Sequence, residues 1–92
     1  MKDKVFIVTG GSSGMGKAMA EKFASQGANV VITGRTMEKL EAAKAEMEGY
    51  EGKILPFQMD VRVPEMTEEL MKKTDEAFGR IDGLVNNAAG NF

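Results

Sequence analysis

This 92-residue sequence contains no cysteine, histidine or tryptophan, only two prolines and only one tyrosine. Without cysteine or histidine, the chain cannot form disulfides, thiolate or imidazole metal sites, or a catalytic triad that depends on histidine. No apolar run approaches the ~20 residues that a membrane-spanning helix needs, so no span is expected. Basic and acidic residues are interspersed at a net charge of −2, and no basic block indicates a nucleic-acid interface.

The composition is typical of a soluble globular protein, with 42% hydrophobic and 28% charged residues. Domains commonly have about 100–150 residues, so residues 1–92 are expected to form one domain or part of one. The first expected strand begins at Val5, which leaves no room for a signal peptide. We therefore expect a cytoplasmic protein.

Short runs rich in valine, isoleucine, leucine and phenylalanine alternate with longer helical patterns. The expected strands are Val5–Thr9, Asn29–Thr33, Lys53–Met59 and Gly83–Asn86. The first expected helix runs from about Gly14 to Gln26, the second starts after Thr36 as its N-cap and ends at Gly49, and the third has Pro64 at or near its first turn and is broken by Gly79. The strands show little polar alternation, as in parallel strands covered on both faces. The order βαβαβαβ predicts an α/β fold of the Rossmann type, with a doubly wound parallel sheet.

Apolar periodicity predicts which face of each helix is buried. The predicted buried residues are Met15, Ala18, Met19 and Phe23 in the first helix, Leu40, Ala43 and Met47 in the second, and Met66, Leu70, Ala77 and Phe78 in the third. No helix follows the last strand, so Leu84 and Val85 are expected on an exposed edge or face. We therefore expect this sequence to be the N-terminal part of a longer protein.

The segment from Thr9 to Gly16 (Thr-Gly-Gly-Ser-Ser-Gly-Met-Gly) lies between the first strand and the first helix. Unpaired amides and the positive dipole end at a helix N-terminus attract phosphate, and glycine allows the anion to approach them. We therefore predict a phosphorylated cofactor here. The residues expected to contact it are Gly10, Gly11, Ser12, Ser13, Gly14, Met15 and Gly16.

The glycine segment allows three interpretations. It fits the dinucleotide pattern T-G-x-x-x-G-x-G throughout. From Gly11 it also nearly fits the G-x-x-x-x-G-K-[ST] pattern of P-loop NTPases, but Ala18 replaces the hydroxyl residue that binds Mg²⁺. The third interpretation is a glycine-rich turn without a ligand.

The end of the second strand bears on the choice of dinucleotide. An acidic residue about 20 residues beyond the glycine segment binds the adenosine ribose hydroxyls in NAD-binding folds. Here Gly34 provides no carboxylate, and Arg35 could pair with a 2′-phosphate. This pattern favours NADP(H) over NAD(H), although Arg35 could also be a solvated side chain at a helix start.

Asp60 and Val61 follow the third strand, at the sheet edge where open α/β folds bind ligands. The carboxylate could accept a hydrogen bond from the adenine amino group, and the Val61 amide could meet a ring nitrogen. Aspartate at a strand exit is also an ordinary turn residue. Arg62 is either a surface charge or a phosphate contact.

Three segments in this order and spacing resemble the short-chain dehydrogenase/reductase family: Thr9–Gly16, Asp60-Val61 and Asn86-Asn87-Ala88-Ala89-Gly90. The resemblance covers the whole chain, but only the cofactor-binding front portion of the family. The segments Gly14–Lys17 and Gln58–Arg62, and the ending Asn-Asn-Ala-Ala-Gly-Asn-Phe, are similar to the 2,4-dienoyl-CoA reductases within this family.

The resemblance implies roles for individual residues. The backbone from Gly11 to Gly16 would hold the pyrophosphate, Arg35 the 2′-phosphate, and Asp60 with Val61 the adenine. The residues implied at the nicotinamide ribose are Asn87, Ala88, Ala89 and Gly90. Those implied at an acyl-CoA substrate are Arg35, Arg62 and Phe92, although Phe92 could equally be a core aromatic.

The resemblance also implies a reaction for the full-length protein. It would be an NADPH-dependent, homo-oligomeric reductase of unsaturated acyl-CoA in fatty acid metabolism. The catalytic serine, tyrosine and lysine of the family lie downstream of the Asn-Asn-Ala segment, so this chain holds no catalytic residue and should be inactive alone. A nucleotide-binding module without chemistry is the alternative from a different class.

Overall fold

The computed structural model describes residues 1–12, 14–60 and 62–87. Over these ranges, strands and helices alternate in the predicted order. They are β1 (Val5–Thr9), α1 (Gly14–Ser25), β2 (Asn29–Gly34), α2 (Met37–Glu46), β3 (Ile54–Gln58), α3 (Pro64–Phe78) and β4 (Gly83–Asn86). The predicted bounds of β1 and β4 are confirmed, whereas α2 ends at Glu46, short of the predicted Gly49.

The strands form one parallel sheet in the order β3-β2-β1-β4. The chain proceeds outward from β1 through β2 to β3 and then crosses back to β4, on the other side of β1. The predicted α/β doubly wound fold is thereby confirmed. In such sheets, ligands bind outside the carboxyl ends of the strands where the order reverses, which here is between β1 and β4.

Helices cover both faces of the sheet. On one face, α1 and α2 pack on a core that includes Val8, Ile32, Leu40 and Met47, all fully buried. On the other face, α3 packs on a smaller core through Leu70. The predicted burial of Leu40, Ala43 and Met47 is confirmed.

The predicted buried face of α1 is partly wrong, although Phe23 packs against the core as predicted. Met15 is 74% exposed and Ala18 is also exposed. The buried residues of this helix are instead Gly16, Ala20 and Ala24. Their small side chains let the helix backbone lie close to the sheet, so the longer methionines stay at the margins of the contact.

The prediction for α3 is partly wrong. Ala77 is exposed, and the buried residues of this helix are Leu70 and Thr74. Thr74 can be buried because its hydroxyl donates a hydrogen bond to the Leu70 carbonyl at 2.8 Å. Thr74 is therefore a buried polar residue that a search for apolar periodicity does not detect.

The edge strand β4 exposes one of the two predicted residues. Leu84 is 51% exposed, whereas Val85 is half-buried against the core beneath α1 and α2. Among the residues described, no helix is long and apolar enough to cross a membrane.

Asp82 joins the amino ends of β1 and β4. Its carboxylate accepts hydrogen bonds from the Val5 amide at 2.8 Å and from Arg80 at 2.7 and 2.9 Å. Its own amide donates to the Val5 carbonyl at 2.8 Å. The Arg80 guanidinium, and then the Val5 amide, lower the pKa of Asp82 from its ordinary value of 3.8.

We expect Asp82→Asn to lower the melting temperature most at neutral pH. Because the pKa is lower in the folded chain, ionised Asp82 stabilises the fold above the ordinary value of 3.8, and this contribution is lost as the pH falls below it. Thermal unfolding from pH 7 down to about 2 should show the difference from wild type shrinking with acidification. A matched Asp75→Asn variant, on the exposed surface of α3, should change the melting temperature little at pH 7. A pH-independent difference would contradict the prediction.

Candidate functional site

The glycine segment lies at the carboxyl end of β1 and leads directly into α1. Gly10 and Gly14 have φ angles of 67° and 58°, a left-handed conformation that other residues rarely adopt. A Cβ atom on Gly16 would collide with the Gly10 carbonyl oxygen and lie 2.7 Å from Asn87 Nδ2. The absence of side chains therefore allows the start of α1 to approach both β1 and the end of β4. Ser13 lies outside the described residues.

The first turn of α1 has positive electrostatic character. Its first amides have no acceptor within the helix, and no acidic residue lies in the first turn to offset the dipole. Gly11 is fixed by its amide, which donates to the Thr33 carbonyl at 3.1 Å. Met15 is exposed at this helix start. The arrangement can bind an anion through backbone amides.

Thr9 connects the carboxyl ends of β1 and β4. Its hydroxyl accepts a hydrogen bond from the Asn87 amide at 2.9 Å and lies 3.3 Å from the Val85 carbonyl oxygen. It also lies 3.2 Å from Asn86 Oδ1. These contacts hold Asn87 beside the glycine segment. The predicted residues Ala88, Ala89, Gly90 and Phe92 lie outside the described residues.

The end of β2 lies next to the glycine segment. A Cβ on Gly34 would be 3.5 Å from Ser12 Oγ and 3.4 Å from Leu40 Cδ2, which are ordinary contact distances. The next residue, Arg35, is exposed, and within the described part of the chain its guanidinium has no ion-pair partner. A cation without an ion-pair partner among the described residues thus lies one residue beyond the contact with Ser12, and its charge helps to lower the pKa of Asp60.

A cavity of about 330 Å³ lies at the carboxyl ends of β2 and β3. It is lined by two charged side chains, one amide and two thioethers, which belong to Arg35, Asp60, Gln58, Met59 and Met66. The sequence placed Met66 on the buried side of α3, where it does pack against the core, and gave Gln58 no role. Met66 accepts a hydrogen bond at Sδ from the Asp60 amide at 3.5 Å, a contact that helix periodicity does not reveal.

Asp60 and Arg62 form a close ion pair. Arg62 donates from its guanidinium to both carboxylate oxygens, at 2.7 to 3.2 Å, and from its backbone amide at 2.9 Å. The side-chain bonds from Arg62 are the main cause of a lowered pKa for Asp60, which therefore stays ionised well below the usual range. Arg62 is thus engaged by Asp60 in this structure. Val61, between them, lies outside the described residues.

Lys17 does not face the glycine segment as a P-loop lysine would. Its Nζ donates to Glu46 Oε1 at 2.6 Å, which joins α1 to the end of α2 and raises the pKa of Lys17. The strand order also matches that of dinucleotide-binding sheets. Both observations favour the dinucleotide interpretation over the P-loop.

The structure separates the only tyrosine from this site. Tyr50 lies in the turn before β3, at the opposite edge of the sheet, with its hydroxyl 3.4 Å from Glu21 Oε2. Among the described residues, no group of three or more acidic side chains is arranged to bind a metal ion. The described site therefore offers backbone amides, an arginine without an ion-pair partner among the described residues, and a carboxylate that already accepts hydrogen bonds from Arg62.

Comparison with known proteins identifies the family. The family model described as short chain dehydrogenase matches residues 4–91. The chain belongs to this family. The match includes the glycine segment, Arg35, the Asp60–Arg62 pair and the end of β4.

Three similar proteins illustrate the relationship. A probable 2,4-dienoyl-CoA reductase of Bacillus subtilis (strain 168) is 53% identical over 92 residues, covering 100% of this chain and 36% of that protein. A short chain dehydrogenase structure from Bacillus anthracis is 63% identical, with a TM-score of 0.92, covering 99% of this chain and 36% of that one. L-Sorbose reductase from Gluconobacter frateurii, complexed with NADPH and L-sorbose, is 35% identical, with a TM-score of 0.93, covering 100% and 35%. The chain thus spans about a third of these relatives.

Proposed function

We propose that this chain is the NADP(H)-binding part of a reductase that acts on 2,4-dienoyl-CoA or a related unsaturated acyl-CoA. The observation that carries the coenzyme assignment is Arg35. It is an exposed guanidinium without an ion-pair partner among the described residues, one residue beyond the end of β2 and in the lining of a cavity of about 330 Å³. Gly34, the residue before it, carries no carboxylate to repel a phosphate.

Different residues at the carboxyl ends of the strands would bind different parts of NADP(H). Backbone amides of the glycine segment at the start of α1 would bind the pyrophosphate, whereas the Gly11 amide donates to the Thr33 carbonyl and would hold the turn in place. Arg35 would pair with the 2′-phosphate. Asp60 would accept a hydrogen bond from the adenine amino group, since its carboxylate stays ionised. Asn87, with Ala88, Ala89 and Gly90, would line the nicotinamide ribose.

The proposed reaction is hydride delivery to a conjugated acyl-CoA and protonation of the resulting dienolate. The coenzyme supplies the hydride when bound. The names of the Bacillus subtilis relative and of several animal relatives support this substrate class. Arg62 and Phe92 are the proposed substrate contacts. Arg62 could reach an anionic coenzyme A phosphate only by sharing or leaving its bonds to Asp60.

The chain is proposed to bind the coenzyme without catalysing the reaction. Tyr50, its only phenol, precedes the amino end of β3 and lies against Glu21, whereas the glycine segment follows the carboxyl end of β1. Proton transfer would therefore fall to residues outside these 92. A cytoplasmic location and a homo-oligomeric full-length protein remain predictions from the sequence.

We expect Arg35→Ala to weaken NADPH binding by about 10- to 100-fold, the scale of a hydrogen bond to a charged group, and to leave NADH binding nearly unchanged. Calorimetric titration of the 92-residue chain with NADPH, NADH and ATP·Mg²⁺ measures these affinities. Lys39→Ala, which removes an exposed cation from α2, is the matched control and should leave the NADPH affinity unchanged. Equal losses for NADPH and NADH would contradict the placement of the 2′-phosphate. Preferential binding of ATP·Mg²⁺ would overturn the proposed function.

A further inference from the structure

The carbonyl group of Arg35 is held by a side chain from the neighbouring strand. Gln58, the last residue of β3, donates from Nε2 to the Arg35 carbonyl oxygen at 2.9 Å. The preceding carbonyl, of Gly34, accepts from the Met59 amide at 2.8 Å, which continues the backbone pairing between β2 and β3. The hydrogen bonds between β2 and β3 thus continue for one more residue, with a side-chain amide instead of a backbone amide as the donor.

Arg35 connects β2 to α2 as a single bend between two fixed residues. On one side, Gly34 is the last residue of β2. On the other, Thr36 is the N-cap of α2, and its carbonyl accepts from the Leu40 amide at 3.2 Å. The Thr36 side chain forms no capping hydrogen bond. The Gln58 amide therefore bonds directly to the peptide group between Arg35 and Thr36, at the only residue between β2 and the N-cap of α2.

We propose that Gln58 is a positioning residue for Arg35 and thereby a determinant of the preference for NADPH over NADH. The inference rests on the proposed function, because it assigns the 2′-phosphate to Arg35. Fixing the Arg35 main chain restricts where its long side chain can reach, so less conformational freedom is lost when the guanidinium pairs with a phosphate. Gln58 and Arg35 also line the same cavity.

A positioning role for Gln58 predicts an effect on NADPH affinity, whereas a purely structural role predicts an effect on the stability of the fold. Gln58 is exposed, and its bond is to a loop carbonyl rather than to the core. Removing the amide should leave the sheet intact and change only the ligand that uses Arg35. NADH lacks the 2′-phosphate and therefore serves as the internal reference.

The test measures dissociation constants of the 92-residue chain for NADPH and NADH by calorimetry. Gln58→Met keeps the side-chain length and removes the donor, and Gln58→Leu is a second variant. We expect each to weaken NADPH by about two- to tenfold, the scale of one neutral hydrogen bond, with NADH unchanged. Gln26→Met, at an exposed position just beyond the end of α1, is the matched control and should change neither affinity. Thermal unfolding checks that each variant is folded.

A double-mutant cycle decides whether the effect passes through Arg35. If it does, Gln58→Met has no further effect on NADPH in the Arg35→Ala background. Equal weakening of NADPH and NADH, or no weakening of either, would overturn the inference. If wild type prefers NADPH and Arg35→Ala removes that preference while Gln58→Met changes nothing, the inference fails and the proposed function stands. If wild type binds neither nucleotide, the proposed function itself fails.

Discussion

Replacing Gly16 by alanine is expected to remove coenzyme binding and to destabilise the fold. The added Cβ would collide with the Gly10 carbonyl oxygen and lie 2.7 Å from Asn87 Nδ2, so the start of α1 would have to move away from β1 and β4. Inserting a methyl group into a closely packed region typically costs about 1–3 kcal/mol. We expect an NADPH affinity at least about 100-fold weaker, because displacing the helix start misaligns more than one phosphate-binding amide.

The matched control for Gly16→Ala is Gly49→Ala. Gly49 lies beyond the end of α2, and a Cβ there would meet no atom within 4 Å. This control should change the free energy of unfolding by no more than about 0.5 kcal/mol and leave NADPH binding intact. Chemical denaturation and calorimetric titration measure both quantities. Wild-type NADPH affinity in Gly16→Ala would show that the close approach of α1 is not needed for binding.

The fold was predictable because its signals are local and repeat along the chain. Four apolar runs without polar alternation, separated by helical segments, leave few alternatives to a parallel sheet. Even the bounds of β1 and β4 follow from the sequence. The longer prediction for β3 included Lys53 and Met59, which lie just outside the strand although their backbones still pair with β2 through hydrogen bonds.

The buried face of α1 was not predictable from apolar size. Met15 is the largest apolar residue at the helix start, yet it is 74% exposed, while Gly16 is buried. The close approach of the helix to β1 and β4 decides this face, and that approach depends on contacts with residues far along the chain, such as Asn87. Periodicity within one helix contains no information about such contacts.

The candidate site was predictable in its location and less so in its connections. Arg35 and Asp60 each follow a parallel strand, so the sequence places them at one sheet edge, and the structure brings both to one cavity. The bond from Gln58 to the Arg35 carbonyl joins residues 23 positions apart. The pairing of Arg62 with Asp60 joins residues only two positions apart. The sequence nevertheless did not predict it, because an arginine at this position could equally be a surface charge or a phosphate contact.

Replacing Gly34 by aspartate is expected to reverse the preference between the two coenzymes. The position accepts a side chain, since a Cβ would make only ordinary contacts with Leu40 and Ser12, at 3.4 and 3.5 Å. An aspartate there would supply the carboxylate that binds the ribose hydroxyls of NAD and would repel the 2′-phosphate of NADP. A tenfold gain for NADH and a 10- to 100-fold loss for NADPH would together change the ratio of affinities by about 100- to 1,000-fold.

Gly34→Asn separates charge from shape in this prediction. Asparagine has nearly the same size as aspartate, so any steric effect on the Ser12 side of the site is common to both variants. If the carboxylate causes the reversal, Gly34→Asn should weaken NADPH less than Gly34→Asp does, because it presents no negative charge to the phosphate. Calorimetric titration of both variants with NADPH and NADH makes the comparison. Equal NADPH losses in the two variants would mean that the 2′-phosphate does not approach Gly34, which would remove the geometric basis for assigning that phosphate to Arg35.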